Sequence, residues 1–227
     1  MFAGFEDEMI DFFWAVRFNN NRAWFAEHKP TYVSKVYEPL KELARDVCTG
    51  METAHGLESL WKCSRIYRDA RRPQPDGPYR DHLWFVLAER ERWSMAPTFY
   101  AEISAEGITY GFGSYCCTPD FMKNVRAAMA AHPARMERMI RAFEKDGSYR
   151  LDGTPYKRPK GHVSDRIDPW YNLKNIGFSA FEEWNDDNMG PGLPAYLVRR
   201  FGVLLPLYRW LWTCVPPEEP EETNRRR

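Results

Sequence analysis

No charge of either sign predominates in this 227-residue chain: lysine plus arginine number 32, and aspartate plus glutamate also 32. A protein that coats nucleic acid without sequence preference carries a clear basic excess, so attraction for anions must here be local and a nucleic-acid partner is disfavoured. Long apolar runs are missing too. The longest, 203–215, is too short to span a bilayer and contains Pro206 and Arg209, so no membrane partner is expected. Cysteine is sparse and unpatterned. Cys48, Cys63, Cys116, Cys117 and Cys214 are odd in number, two are adjacent, and no C-x-x-C occurs. That excludes a disulfide framework and points to reduced thiols in a cytoplasmic protein. The opening M-F-A-G-F-E-D-E-M is acidic and lacks the basic-then-apolar order of a secretion signal.

Signatures of group-transfer chemistry are also lacking. There is no G-x-S-x-G, no G-x-x-x-x-G-K-[ST] and no G-x-G-x-x-G, so no cofactor is expected and no nucleophile declares itself. Gly111-Phe112-Gly113 lacks the later glycine and marks a strand end or bend. His28, His55, His82, His132 and His162 never repeat at i, i+4, so no metal site is expected. Cys116 and Cys117 precede a helix start that would lower a thiol pKa, but buried inert cysteine is the preferred reading.

Hydrophobic residues make up 44% and aromatics 15%, with nine tryptophans. A body of this size buries roughly 70% of its extended-chain surface and needs no staples. Met9, Phe12, Phe13 and Val16 form one helical stripe. Asn19-Asn20-Asn21 breaks that helix and caps a short turn through Trp24 and Phe25. Lys29-Pro30 opens a longer helix, which Pro39 should kink or split, and 50–56 reads as a loop. The period then changes. Strands are predicted over 60–67 and 82–91, and a hairpin over 98–104 and 108–113, where Phe99, Ala101 and Ile103 alternate with Tyr100 and Glu102. Thr118-Pro119-Asp120 starts a helix to about His132, Pro133 starts another ending at Gly147, 148–170 reads as an ordered loop, and 194–214 forms a last helix interrupted by Pro206. The expectation is a single α+β domain over 1–215, with a central, mostly antiparallel sheet flanked by N-terminal and C-terminal helices, and a disordered polar tail over 216–227.

One segment stands out. Residues 65–80, R-I-Y-R-D-A-R-R-P-Q-P-D-G-P-Y-R, pack five arginines and two tyrosines around Asp69 and Asp76. Guanidinium forks at this density suit planar or tetrahedral anions. Arg65, Tyr67, Arg68, Arg71, Tyr79 and Arg80 are therefore candidate ligand-binding residues on a strand end and its following bend. Opposed to this, Arg68 and its neighbours pair with acids such as Asp69 and pin the loop. Asp69 and His82 are weak catalytic candidates; Asp81 precedes His82 directly, but neighbours on a strand point to opposite faces and need not touch. Asn21, Arg22 and Trp24 either stack a ring or form a capped turn with a core aromatic. Lys157 and Arg158, with Lys174 beyond them, either complete an anion site or form a solvated basic run.

Three motifs in this order, N-N-N-R-x-W-F, R-I-Y-R-D-x-R before P-Y-R, and K-R-P-x-G followed by a lysine, resemble the family known as domain of unknown function 2461, over about 12–212. The matched positions are Asn20, Asn21, Arg22, Trp24 and Phe25; Arg65, Tyr67, Arg68, Asp69, Arg71, Pro78, Tyr79 and Arg80; then Lys157, Arg158, Pro159, Gly161 and Lys174. Family members tend to read F-S-x-D-K-x-P-Y-K where this chain reads R-P-Q-P-D-G-P-Y-R. The family's lysine thus falls on Asp76, and Arg72 or Arg80 would have to replace it. The resemblance supports the α+β expectation and implies no activity. Three functions compete. The preferred one is a small anionic or phosphorylated ligand held by Arg65, Arg68 and Arg71. The others are a structural or partner-binding protein with internal arginine ion pairs, and a nucleic-acid module stacking bases on Trp24, Tyr67 and Tyr79.

Overall fold

The structure, a computed structural model, describes residues 1–88, 96–114 and 117–216. Helix α1 (Asp7–Phe18) buries Met9, Phe12, Phe13 and Val16, the stripe read from the sequence. Its end at Asn19 leads into α2 (Arg22–Thr31), whose N-cap Asn21 accepts a hydrogen bond from the Trp24 N–H at 3.0 Å. The chain then stays helical through a π turn (Tyr32–Tyr37) into α3 (Glu38–His55). Pro39 is the second residue of α3, directly after the π turn, so the disturbance expected at this proline takes the form of a change in hydrogen-bonding pattern with helical backbone on both sides. The loop expected over 50–56 is instead the last part of α3: Met51, four residues after Val47, continues the buried stripe.

Six strands follow: β1 (Leu60–Cys63), β2 (His82–Ala88), β3 (Thr98–Ser104), β4 (Gly107–Gly113), β5 (Arg150–Asp152) and β6 (Gly177–Glu183). They form one sheet in the order β1-β2-β3-β4-β6-β5, every pair antiparallel. With flanking helices this is the α+β architecture the sequence implied. The strand expected over 60–67 ends at Cys63 and returns only as a bridge between Tyr67 and Tyr79. Positions 89–91 of the second expected strand, Cys116 and the tail from 217 lie outside the described residues.

Helices α4 (Pro119–Ala131) and α5 (Pro133–Asp146) start where their prolines predict, and the Thr118 side chain accepts from the Phe121 N–H at 3.1 Å. Two short helices, α6 (Asp168–Tyr171) and α7 (Asp186–Met189), precede α8 (Leu193–Trp212). Helix α8 runs through Pro206 without interruption, and that ring lies on its exposed side. No helix among the described residues is long and apolar enough to cross a membrane.

The period-2 alternation of the strands sorts the sheet into two faces. Leu83, Phe85, Leu87, Ala101, Ile103, Ile108, Tyr110 and Phe112 are fully buried against α3 and α8. Each large apolar side chain there contributes about 1.5–3 kcal/mol, so this face holds the fold together. A polar cluster fastens α8 to it. The Tyr110 hydroxyl donates to Glu182 at 2.5 Å, Tyr196 donates to the same carboxylate, and Arg200 Nε donates to Tyr110 Oη at 3.0 Å. Burial, then the Glu182 contact, pushes the Tyr110 phenol far above its ordinary pKa, so it acts only as a neutral bridge. Tyr110→Phe leaves both neighbours short of a partner and should cost about 1–3 kcal/mol, read as a lower urea midpoint at unchanged slope.

Candidate functional site

The other face of the sheet carries the alternate residues: His82, Trp84 and Val86 on β2, Tyr100 and Glu102 on β3, Thr109 on β4. All six are only partly buried. Register places Trp84 opposite Glu102 and Val86 opposite Tyr100. The first five, together with Ser114, Asp152 and Asn175, line a groove of about 420 Å³. Its lining includes the rings of Trp84 and Tyr100 and the carboxylate of Glu102. Among the described residues, no hydrogen bond or ion pair engages the Glu102 side chain. Burial raises its pKa above the ordinary carboxylate range; His82 opposes the rise and Asp81 adds to it.

One wall is built by charge. Asp81 lies in a bend just before β2, so strand alternation does not separate it from its neighbour: Asp81 Oδ1 meets His82 Nδ1 at 3.0 Å. Arg17, on α1, donates from Nε to Asp81 Oδ2 at 2.8 Å and from Nη1 to Glu106 at 2.6 Å. Burial alone would raise the Asp81 pKa, but the Arg17 and His82 hydrogen bonds outweigh it and hold the group below the ordinary range. The Asp81 carboxylate thereby fixes the orientation of the His82 ring through its Nδ1. Trp84 has two polar neighbours. His82 stacks on it at 5.9 Å and the Arg80 guanidinium sits 5.1 Å from its centroid. Burial pushes the Tyr100 phenol up to about 12, with Asp152 and Glu102 adding to it, so it stays protonated at neutral pH. The groove can thus offer a carboxylate at Glu102, an imidazole at His82, a phenol at Tyr100 and the indole of Trp84.

The arginine segment stands beside this wall and is largely satisfied from within. Arg68 donates from Nε to the Tyr79 carbonyl at 2.9 Å and lies 4.0 Å from Asp81. Arg71 forks onto Asp69 through two bonds of 2.9 Å, which, with the Arg71 N–H, hold that carboxyl down at about 2. Arg80 donates to the carbonyls of Arg65 at 2.7 Å and Tyr67 at 2.5 Å. Arg65, Arg72 and Arg22 project into solvent, with no ion pair among the described residues. Tyr79 is buried, stacking on Phe25 at 4.1 Å, while Tyr67 is half-exposed at its edge. Asn21 is a helix cap, and Trp24 packs on His28 at 4.2 Å and on Phe12. Lys157 and Arg158 are exposed, and no hydrogen bond, ion pair or ring contact among the described residues joins them or Lys174 to the 65–80 segment.

What unites the first two sequence motifs is Asn20. Its Nδ2 donates to the carbonyls of Asp76 at 2.6 Å and Tyr79 at 2.9 Å, and its Oδ1 accepts the Tyr79 N–H at 3.0 Å. The asparagine run therefore clamps the bend of the arginine segment, which in turn places Arg80, Asp81 and His82 at the groove. A family model described as conserved hypothetical protein, domain of unknown function 2461, matches residues 8–210, and the chain belongs to that family. No curated protein matches it. Sequence reasoning picked out His82 but passed over Trp84, Tyr100, Glu102, Asp81 and Arg17 as site residues. The signal available was the alternation of Tyr100 and Glu102 with apolar neighbours, which announced a wetter face.

Proposed function

We propose that this protein binds a small molecule on the open face of its sheet, with a protonated nitrogen or comparable donor at Glu102 and a flat moiety against Trp84 and Tyr100. The single observation that carries this reading is the Glu102 carboxylate, partly buried, raised in pKa and without a hydrogen-bond or ion-pair partner among the described residues, in the lining of a groove. A desolvated, unpaired carboxylate is a cost to folding that a cationic ligand removes. An anion held by the arginine segment is the weaker reading, because Arg68, Arg71 and Arg80 already spend donors on Tyr79, Asp69 and two carbonyls. Those residues fit the alternative in which the arginines brace the bend.

The test is a thermal-shift and calorimetric panel of benzylamine, benzamidine and aromatic diamines against phosphorylated metabolites and nucleotides. Cationic aromatics should raise the melting temperature of the wild type, and Trp84→Ala should weaken their binding about tenfold or more, ~1.4 kcal/mol. Glu102→Gln should abolish the shift while raising the unliganded stability. The sign follows from linkage. The unfolded carboxyl titrates near its ordinary 4.5 and the folded one higher, so the folded state holds the proton longer and loses stability as pH rises between the two values. The advantage of Glu102→Gln should therefore be absent at low pH, grow above about pH 4.5 and level off. Hits confined to phosphorylated compounds, undiminished in Glu102→Gln, would refute the proposal.

A further inference from the structure

Away from the groove, three cations from three separate segments converge on one ring. Lys160 Nζ lies 4.6 Å from the Tyr156 centroid, Arg126 Cζ 5.8 Å, and Lys174 Nζ 5.9 Å. Arg126 comes from α4, Lys160 from the loop after β5, and Lys174 from the segment leading to β6. Their convergence is built by the backbone. Tyr156 N–H donates to the Asn172 carbonyl at 2.9 Å and Lys174 N–H to the Thr154 carbonyl at 2.8 Å, bracketing the Pro155–Leu173 bridge. Asn172 Oδ1 accepts the Lys160 N–H at 2.6 Å and so fixes the approach of that residue to the ring.

None of the three cations is paired with a carboxylate among the described residues. Two acids close to them in sequence are occupied: Asp168 accepts from His162 and from the Val163 N–H, and Asp152 from Arg150. Arg126 Nη1 is itself buried and has no hydrogen-bond partner among the described residues. A buried guanidinium nitrogen without an acceptor is costly, and contacts of about 0.5–1 kcal/mol with a partly exposed ring do not replace one. Like charges gathered in this way are stabilised by an anion that supplies several acceptors at once.

We propose that Arg126, Lys160, Lys174 and Tyr156 form a second site, selective for a tetrahedral oxyanion, either free phosphate or the terminal group of a phosphomonoester. The guanidinium provides the buried directional donor and the two ammonium groups close around the remaining oxygens. None of these four residues lines the groove over Glu102.

Calorimetric titration of the full chain at low ionic strength with inorganic phosphate and, separately, with O-phosphoserine tests this. Saturable binding of at least one is expected, with tenfold weakening in each of Lys160→Ala and Lys174→Ala, whose side chains are exposed and whose loss should leave the fold intact. Arg126→Gln should abolish binding, and Arg45→Ala, an exposed charge on α3, should leave it unchanged. Tighter binding of inorganic phosphate assigns the site to the free ion, tighter binding of phosphoserine to the ester. Absence of saturable binding in the wild type would overturn the proposal. Weakening by Arg45→Ala equal to that by the two lysine variants would overturn it too, because the effect would then be net charge alone.

Discussion

Asn20→Asp should unfold this protein at a melting temperature about 6–12 °C below the wild type, although it exchanges one amide nitrogen for an oxygen of the same size. The amide makes three bonds to a single bend: two donated to the Asp76 and Tyr79 carbonyls, one accepted from the Tyr79 N–H. Aspartate keeps the acceptor and turns its second oxygen, charged, toward two carbonyl oxygens. Leaving such groups unsatisfied costs about 1–3 kcal/mol each, less where water reaches them, so roughly 3 kcal/mol is expected, and a chain of this size loses ~2–4 °C per kcal/mol. Asn20→Ala should lose a similar amount for want of all three bonds. Gly77 shows how closely the clamp fits: its φ is +87°, in the left-handed region, and a Cβ there would lie 2.6 Å from Asn20 Oδ1. A differential-scanning measurement that finds Asn20→Asp within about 1 °C of the wild type would show that the clamp is dispensable.

Gly111→Val should be as damaging, for a steric reason. Gly111 pairs with Tyr100 on one side and Ser179 on the other, and a Cβ at that position would lie 1.8 Å from the carbonyl oxygen of Phe178. The obstructing atom belongs to the neighbouring backbone and cannot rotate away. Relief requires β4 and β6 to separate, which strains the ladder between them and the Tyr110–Glu182 contact. Overpacking of this kind costs about 1–3 kcal/mol and more where backbone must move, so a loss of at least ~3 kcal/mol is expected in urea titration. Because Gly111 also lies beside Tyr100, any folded Gly111→Ala protein should bind groove ligands poorly; full stability together with full binding would show that the strands accommodate the extra carbon.

Much of the architecture was legible because it is local. The stripe of Met9, Phe12, Phe13 and Val16, the Thr118-Pro119 helix start and the hairpin from Thr98 to Gly113 are each set by residues within a turn or two of one another. Pro206 misled, because it lies on the exposed side of a helix that runs through it unbroken. The candidate site was legible only in part. Asp69 and Arg71 are two residues apart and their pairing can be read directly. Arg17 and Asp81 are 64 apart, and their ion pair depends on how α1 packs against the sheet. The position of Glu102 opposite Trp84 is a matter of strand register, which the hydrophobic pattern constrains to a face but not to a partner. The arginine density of 65–80 is legible in the sequence, but the carbonyls that Arg68 and Arg80 reach depend on how the bend folds back on itself.

The π turn between α2 and α3 has a further consequence. Its carbonyls accept from five residues ahead, so it holds one residue more than an α turn and offsets the two flanking stretches by about 100°. That offset is what allows Phe25 on one side and Leu40, Leu43 and Val47 on the other to face the same interior. The helical rod from Arg22 to His55 therefore contains a phase shifter. Removing a single residue from it would turn one half's apolar stripe toward water and set Pro39 inside α-helical backbone, so a chain shorter by one residue would lose its core.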